Sequence, residues 1–285
     1  MSQKKSLNEA TGGSWVAVGS GLTVGGGGTP GICALGDNKV IASESFADDL
    51  FLCSFTGSAW NLLSTYASAN RNAPVLAGLS SALFAHYDSS TDFLQAFSVS
   101  GSTIAAVGSP YTYASTGYQS MCALTDTRIA FLDSGSGKLE VFDWTGSGWT
   151  KVGTSYSPGG VTYSSMARLT NDTIALFVAG TDLLRVFRFN GSTWSQVGTT
   201  YTSLVIAKNA MAALSENVIV IADAANLLLR CFKWDGNAFS PFGTNTSVAS
   251  MNASGVSVCR IDENRVALYS YTSNTVQTYQ FNPTY

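Results

Sequence analysis

The chain has 285 residues, of which 45% are hydrophobic and only 12% charged, with a net charge of −3. That length can bury a sizeable core, while the charged share is about half the usual ~25% and is replaced by Gly, Ser, Thr, Asn and Tyr. A weakly acidic chain without a Lys/Arg run lacks the phosphate-neutralising charge that nucleic-acid binding needs, and an anionic membrane surface is disfavoured for the same reason. No apolar run approaches the roughly 20 residues of a membrane span.

Met1 to Thr11 is polar, carries Lys4 and Lys5, and has no hydrophobic signal core, so it reads as a tail rather than an export signal. From Gly12 onward the chain is periodic. A Trp-x-x-Val-Gly stretch begins at Trp15, and equivalent stretches begin at Trp60, Ile104, Trp149, Trp194 and Phe239, each 44 or 45 residues after the one before. A second series of short apolar runs keeps the same period: Ile32-Cys33-Ala34-Leu35, Leu76-Ala77-Gly78-Leu79, Met121-Cys122-Ala123-Leu124, Met166-Ala167-Arg168-Leu169, Met211-Ala212-Ala213-Leu214 and Val258-Cys259-Arg260-Ile261. Each is followed by a polar turn, a second apolar run such as Arg128-Ile129-Ala130-Phe131, and a third such as Leu139-Glu140-Val141-Phe142-Asp143-Trp144. A glycine turn and the Trp strand complete the unit. Four short strands per ~45-residue unit predict a propeller blade, and six units predict an all-β, six-bladed propeller.

The last unit stops after its third strand, Val276-Gln277-Thr278-Tyr279-Gln280-Phe281, and the missing fourth stands at the other end of the chain as Gly12-Gly13-Ser14-Trp15-Val16-Ala17-Val18-Gly19. The N-terminal strand is therefore expected to complete the C-terminal blade and remove an unpaired edge. The organisation is a tail over 1–11 and one domain over 12–285. This closure resembles that of WD-repeat propellers, although their Gly-His and Trp-Asp motifs are absent. The stretches Thr125-Asp126-Thr127-Arg128-Ile129-Ala130 and Phe142-Asp143-Trp144-Thr145-Gly146-Ser147-Gly148-Trp149 resemble repeats of bacteriophage virion proteins, and that resemblance implies a virion component assembled in the host cytoplasm.

With strands running from the inside outward, the blade-to-blade connections share a face with the turns between strands two and three. These connections vary and are rich in Tyr, Ser, Gly and Asn, the composition of adaptable recognition surfaces. Tyr113, Tyr118, Tyr163 and Arg71 are the candidate ligand-binding residues, a ring for the apolar face of a sugar and hydrogen-bonding groups for its hydroxyls. The more regular Tyr66, Tyr111, Tyr156 and Tyr201 read either as part of that surface or as packing between blades. The opposite face consists of short repeated turns such as Thr125-Asp126-Thr127 and Thr170-Asn171-Asp172, whose Asp and Asn residues favour tight turns without a ligand. The recurring Trp suggests six-bladed fucose-type lectins, but the Arg and Glu that accompany each aromatic in those lectins do not repeat here, so the Trp is expected to pack beneath the outer strand.

Catalysis finds little footing. His86 is the one histidine and sits at the end of a strand-like run, Asp48-Asp49 and Asp88 with Asp92 read as solvated loop carboxylates, and Gly25 to Gly28 lacks a following Lys and helix. The five cysteines have no zinc spacing and are expected to be buried free thiols. The expectation is thus a non-enzymatic protein without metal or cofactor, whose partners are a host-surface glycan and, through the tail, other virion proteins. A structural docking platform is the alternative, and a glycan-degrading enzyme the more distant one.

Overall fold

The computed structural model describes residues 6–26, 28–45, 49–67, 75–113, 117–161, 164–178, 181–202, 209–249, 251, 255–271 and 273–285. After a single 3₁₀ turn at Leu7–Glu9, the chain forms six antiparallel sheets arranged as a six-bladed propeller. The first strand, β1 (Gly12–Thr23), belongs to the last blade. Blade 1 contains β2 (Gly31–Gly36), β3 (Lys39–Ser43), β4 (Asp49–Phe55) and β5 (Trp60–Ala67), and blade 2 contains β6 (Val75–Ser80), β7 (Leu83–Asp88), β8 (Phe93–Ser100) and β9 (Thr103–Thr112). Blade 3 is β10 (Gln119–Thr125), β11 (Arg128–Asp133), β12 (Lys138–Trp144) and β13 (Trp149–Tyr156), and blade 4 is β14 (Ser164–Thr170), β15 (Thr173–Val178), β16 (Leu183–Phe189) and β17 (Trp194–Tyr201). Blade 5 runs β18 (Asn209–Ser215), β19 (Val218–Asp223) and β20 (Leu228–Trp234), and its outer strand is split into β21 (Phe239–Pro241) and β22 (Thr246–Ser247). Blade 6 is β23 (Val256–Arg260), β24 (Arg265–Ser270) and β25 (Thr275–Thr284), closed by β1.

The closure anticipated from the repeat is present. β1 pairs antiparallel with β25 from Gly12 opposite Thr284 to Thr23 opposite Thr275, with Trp15 opposite Phe281. β1 and β25 are joined by a full sheet edge, so the outermost strand of blade 6 is supplied by a segment that precedes blade 1 in sequence.

Hydrophobic residues divide into six clusters, one between each pair of adjacent blades. The outer strand explains the Trp-x-x-Val-Gly motif. Its Trp is buried and packs on the last residue of its own third strand, as in Trp194 on Phe189 (5.3 Å) and Trp60 on Phe55 (5.2 Å), while reaching the core shared with the preceding blade. The Gly adopts positive φ, +68° at Gly19, +69° at Gly153 and +66° at Gly198, in the left-handed region that favours glycine. At this bulge three residues face one on the third strand, and the residue after Gly donates its N–H to a turn carbonyl of the next blade. These inter-blade bonds are Ser20 to Ser58 O (2.9 Å), Ser109 to Ser147 O (2.8 Å), Thr154 to Ser192 O (2.7 Å) and Thr199 to Asn237 O (2.7 Å). A methyl on Gly19, Gly153 or Gly198 would run into that same neighbouring carbonyl.

Six or seven positions after the Trp (or Ile104 in blade 2), Tyr packs in the other direction. Tyr66 meets Phe97, Tyr111 meets Phe142, Tyr156 meets Phe187 and Tyr201 meets Phe232, at 5.1–5.6 Å and always on the following blade. One outer strand therefore grips both neighbours, and these four tyrosines serve packing between blades.

The first residues of the chain are also docked. Leu7 and Ala10 are buried in the core between blades 5 and 6, and Lys233 Nζ donates to the carbonyls of Asn8 (2.7 Å) and Ala10 (3.1 Å). All five cysteines are free and Cys122 alone among them is half-buried. Burial pushes the Cys33, Cys53, Cys122 and Cys231 thiols up to about 12, so none is a ready nucleophile. The equivalent Cys33 and Cys259 are closer than their separation in sequence suggests, because blade 6 adjoins blade 1 and β2 neighbours β23.

Candidate functional site

Two surfaces follow from the topology. β2, β6, β10, β14, β18 and β23 are the innermost strands and surround a channel of about 690 Å³. One mouth lies on the face of the blade-to-blade connections, where Thr29, Pro30, Tyr118, Gln119, Ser164 and Gly255 line it. The other lies on the face of the short turns.

On the connection face, the turns between second and third strands are organised by carboxylates. Asp88 accepts from Ser90 N (2.9 Å), Ser90 Oγ (2.8 Å) and Thr91 Oγ1 (2.8 Å), and Asp133 accepts from the N–H groups of Gly135 (3.0 Å) and Ser136 (3.1 Å). Asp223 likewise takes Asn226 N (3.1 Å) and pairs with Arg230 (2.9 Å). All three carboxylates are buried, so the sequence reading of Asp88 as a solvated loop residue is corrected: its oxygens close the turn. Asp92 accepts from the Tyr87 hydroxyl (3.0 Å). His86 is buried with its ring edge-on to Phe97 (5.9 Å), within a strand paired on both sides.

The sequence-predicted binding residues part company. Tyr113 is half-buried between Phe131 (5.0 Å) and Phe142 (6.0 Å), and its hydroxyl is engaged with Glu140 and Ser136. Burial, then the charge of Glu140, pushes that phenol upward. Burial alone would also raise the Glu140 carboxyl, but hydrogen bonds from Lys151 Nζ (2.6 Å), Ser155 and Tyr113 outweigh it and hold the group below its ordinary range. Tyr113 is thus a strut between blades 2 and 3 with its polar end already satisfied. Tyr118 is 51% exposed at the channel mouth. Tyr163 and Arg71 lie outside the described residues.

Two exposed rings were not singled out from sequence. Tyr271 (37% exposed) follows β24 and its Cβ adjoins Gly255, and Phe93 (39% exposed) begins β8. Both lie on the connection face because the turn between second and third strands does. A position immediately flanking that turn was the available signal. Among the described residues no three His, Cys, Asp or Glu side chains converge as a metal site, and no helix is long and apolar enough to cross a membrane.

No family model matches the chain, and no curated protein matches it either. Solved structures do. A Bacteroides thetaiotaomicron structural-genomics protein of unknown function aligns over 94% of this chain and 76% of its own at 12% identity and a TM-score of 0.65. The SapL1 lectin in complex with alpha methyl fucoside aligns over 90% of this chain and 96% of its own, again at 12% identity, with a TM-score of 0.60. The Cps50 (Swd1) β-propeller domain of Myceliophteria thermophila gives 8% identity, 88% and 82% coverage and a TM-score of 0.58. At such identities the likeness establishes the propeller fold. The Trp residues that suggested a lectin in sequence are buried beneath the outer strands.

Proposed function

We propose that this protein is a non-enzymatic binding module that recognises glycan through the connection face, as a component of a virion. The observation that carries the reading is the distribution of exposed aromatic rings: of Phe93, Tyr118, Tyr271 and Tyr285, the four large exposed aromatics among the described residues, the first three lie on that face. An exposed ring offers the apolar face of a pyranose a stacking surface, and Gln119 next to Tyr118, with Ser164 and Thr29 on the same channel mouth, offers hydroxyl and amide partners. The carboxylates of the same face close turns, which favours binding over hydrolysis. The lectin with the matching span supports carbohydrate as the ligand class. The virion assignment rests on the repeat resemblance given above.

A glycan array probed with the whole protein tests this reading, paired with a Tyr118→Ala/Tyr271→Ala variant. The expected result is a defined set of bound sugars, lost at least tenfold in the variant without a drop in thermal stability, because exposed side chains contribute little to folding. A silent array, or binding untouched by the variant, overturns it. The docking-platform reading has its own observation: Val16 (44% exposed) on β1 and Leu62 (46%) and Leu63 (40%) on β5 are aliphatic side chains exposed on the outer strands of the adjoining blades 6 and 1. Association with purified particles that survives the tyrosine changes but fails on Leu62→Ser/Leu63→Ser favours that second reading.

A further inference from the structure

The channel carries a feature the connection face does not explain. Each innermost strand has one residue at the same register position near its turn-side end. These are Ala34 opposite Val40, Gly78 opposite Phe84, Ala123 opposite Ile129, Arg168 opposite Ile174, Ala213 opposite Ile219 and Arg260 opposite Val266. Four blades place a methyl or less there, and blades 4 and 6 place arginine. Both arginines line the one channel.

Neither guanidinium makes a described salt bridge to a carboxylate. Arg168 donates through Nη1 to the carbonyl of Leu124 on the adjoining blade (3.2 Å), and Arg260 donates through Nε to the carbonyl of Asp262 (3.2 Å). The Asp262 carboxylate is taken by Arg265 (2.6 Å). Asp126 and Glu216 also line the channel, both on exposed turns, but no described ion pair joins either to the two arginines. Burial, followed by the charge of Arg168, pulls the Arg260 guanidinium below its ordinary range, so the two cations sense each other across the channel, with partial relief from Glu263 and Asp262. Arg168 and Arg260 are both exposed, and two guanidiniums facing one channel without an ion pair between them and its walls offer an anion a paired site.

We propose that the turn-side mouth of the channel is an oxyanion site in which Arg168 and Arg260 together hold the carboxylate or phosphate of a small hydroxylated ligand. Guanidinium groups present several N–H donors in a fixed plane and suit both anions. The body of the ligand would extend along the channel, whose volume lies in the range of small-molecule sites. It would meet strand edges there, since each innermost strand is paired within its sheet on one side only. The Ile32 N–H, for example, is satisfied across the blade boundary by Ser257 Oγ (3.1 Å). This site is at the other end of the channel from Tyr118 and is independent of the connection-face reading.

Titration calorimetry with D-glucuronate and D-glucose 6-phosphate, against D-glucose as the uncharged control, tests it on the intact protein. The expected result is millimolar or tighter binding of at least one anion and none of glucose, with the tighter anion naming the source. Arg168→Ala and Arg260→Ala should each weaken binding at least tenfold, and the double variant should show none. Without ligand, the double variant should keep or raise its Tm, since a repulsion is removed. Absence of binding by both anions overturns the proposal, as does equal affinity in the double variant. A marked fall in the ligand-free Tm does so too, because it would assign the guanidiniums to packing.

Discussion

Blade 4 and blade 6 contain the same four antiparallel strands, yet one is a continuous stretch of chain and the other is assembled from its two ends. In blade 4 the bulge glycine Gly198, at positive φ, lets Thr199 reach Asn237 of blade 5; in blade 6 Gly19 does the same for Ser20 and Ser58 of blade 1. The arrangement at the seam is therefore as regular as elsewhere in the ring. It is even reinforced, because Gln277 on β25 donates through Nε2 to the carbonyls of Val18 (3.0 Å) and Gly19 (3.3 Å), filling the bulge from the third strand. In blade 4 the corresponding Arg185 instead reaches out of its blade to Pro158. The comparison teaches that closure depends on repeating the ordinary blade grammar rather than on a special clasp.

The largest expected effect breaks the seam altogether. Removing residues 1–19 deletes the part of β1 that buries Trp15 on Phe281 and leaves β25 as a long bare edge, so insoluble or unfolded protein is expected. A soluble monomer with an unchanged melting temperature after that deletion would sink the equivalence of the two blades. Removing only residues 1–10 is the measured contrast. That segment reads as a polar tail from its composition, but burial of Leu7 and Ala10 and the two bonds from Lys233 lead to an expected loss of about 2–4 kcal/mol, readable by denaturant titration.

A smaller effect probes the bulge on both sides of the comparison. Gly198→Ala and Gly19→Ala should each cost about 2–4 kcal/mol, combining the left-handed backbone with displacement of the neighbouring blade's carbonyl. Blade 1 supplies the control: Leu63-Ser64 replaces Val-Gly there, its bulge is a single extra residue, and Ser64→Ala should stay within about 0.5 kcal/mol. Near-zero cost at Gly19 together with the full cost at Gly198 would mean the seam is looser than the ring.

The smallest effect sharpens the comparison at the level of one atom. Trp60 Nε1 donates to Thr278 Oγ1 of blade 6 at 2.9 Å, whereas Trp194 Nε1 is buried without a hydrogen-bond partner and shares its cluster with Val141. Trp60→Phe should therefore cost about 1–2 kcal/mol more than Trp194→Phe when both are followed by chemical unfolding, because only the first strands a buried hydroxyl. Equal losses would assign both indoles to packing alone.

Much of this architecture was legible in the chain because a repeat states its own period: the Trp strands counted the blades, and the break after Phe281 located the closure. The residues at the candidate sites were less legible, for a physical reason. Tyr113 reads as a loop tyrosine, but the groups that capture it, Glu140 and Ser136, come from the following blade more than twenty residues on, and no local pattern encodes that meeting. Arg168 and Arg260 stood in plain view inside two of the six aligned runs. What the sequence could not express was that their shared register places both in one channel. Tyr66, Tyr111, Tyr156 and Tyr201 were ambiguous between surface and packing until the rings of the next blade were located.

The pairing of β1 with β25 also sets an order of events in time. At ordinary elongation rates roughly 15–60 s separate synthesis of the first residues of such a chain from its last. Throughout that interval Gly12 to Thr23 lacks the strand it lies against in its own blade, since every residue opposite it on β25 lies at or beyond Thr275. β1 precedes blade 1 yet completes its sheet only when β25 is available, so blades 1 to 5 can form progressively before blade 6 closes. Contacts of such high sequence separation slow folding, and the step that closes the ring is the docking of an edge strand that precedes all six blades' inner strands in sequence.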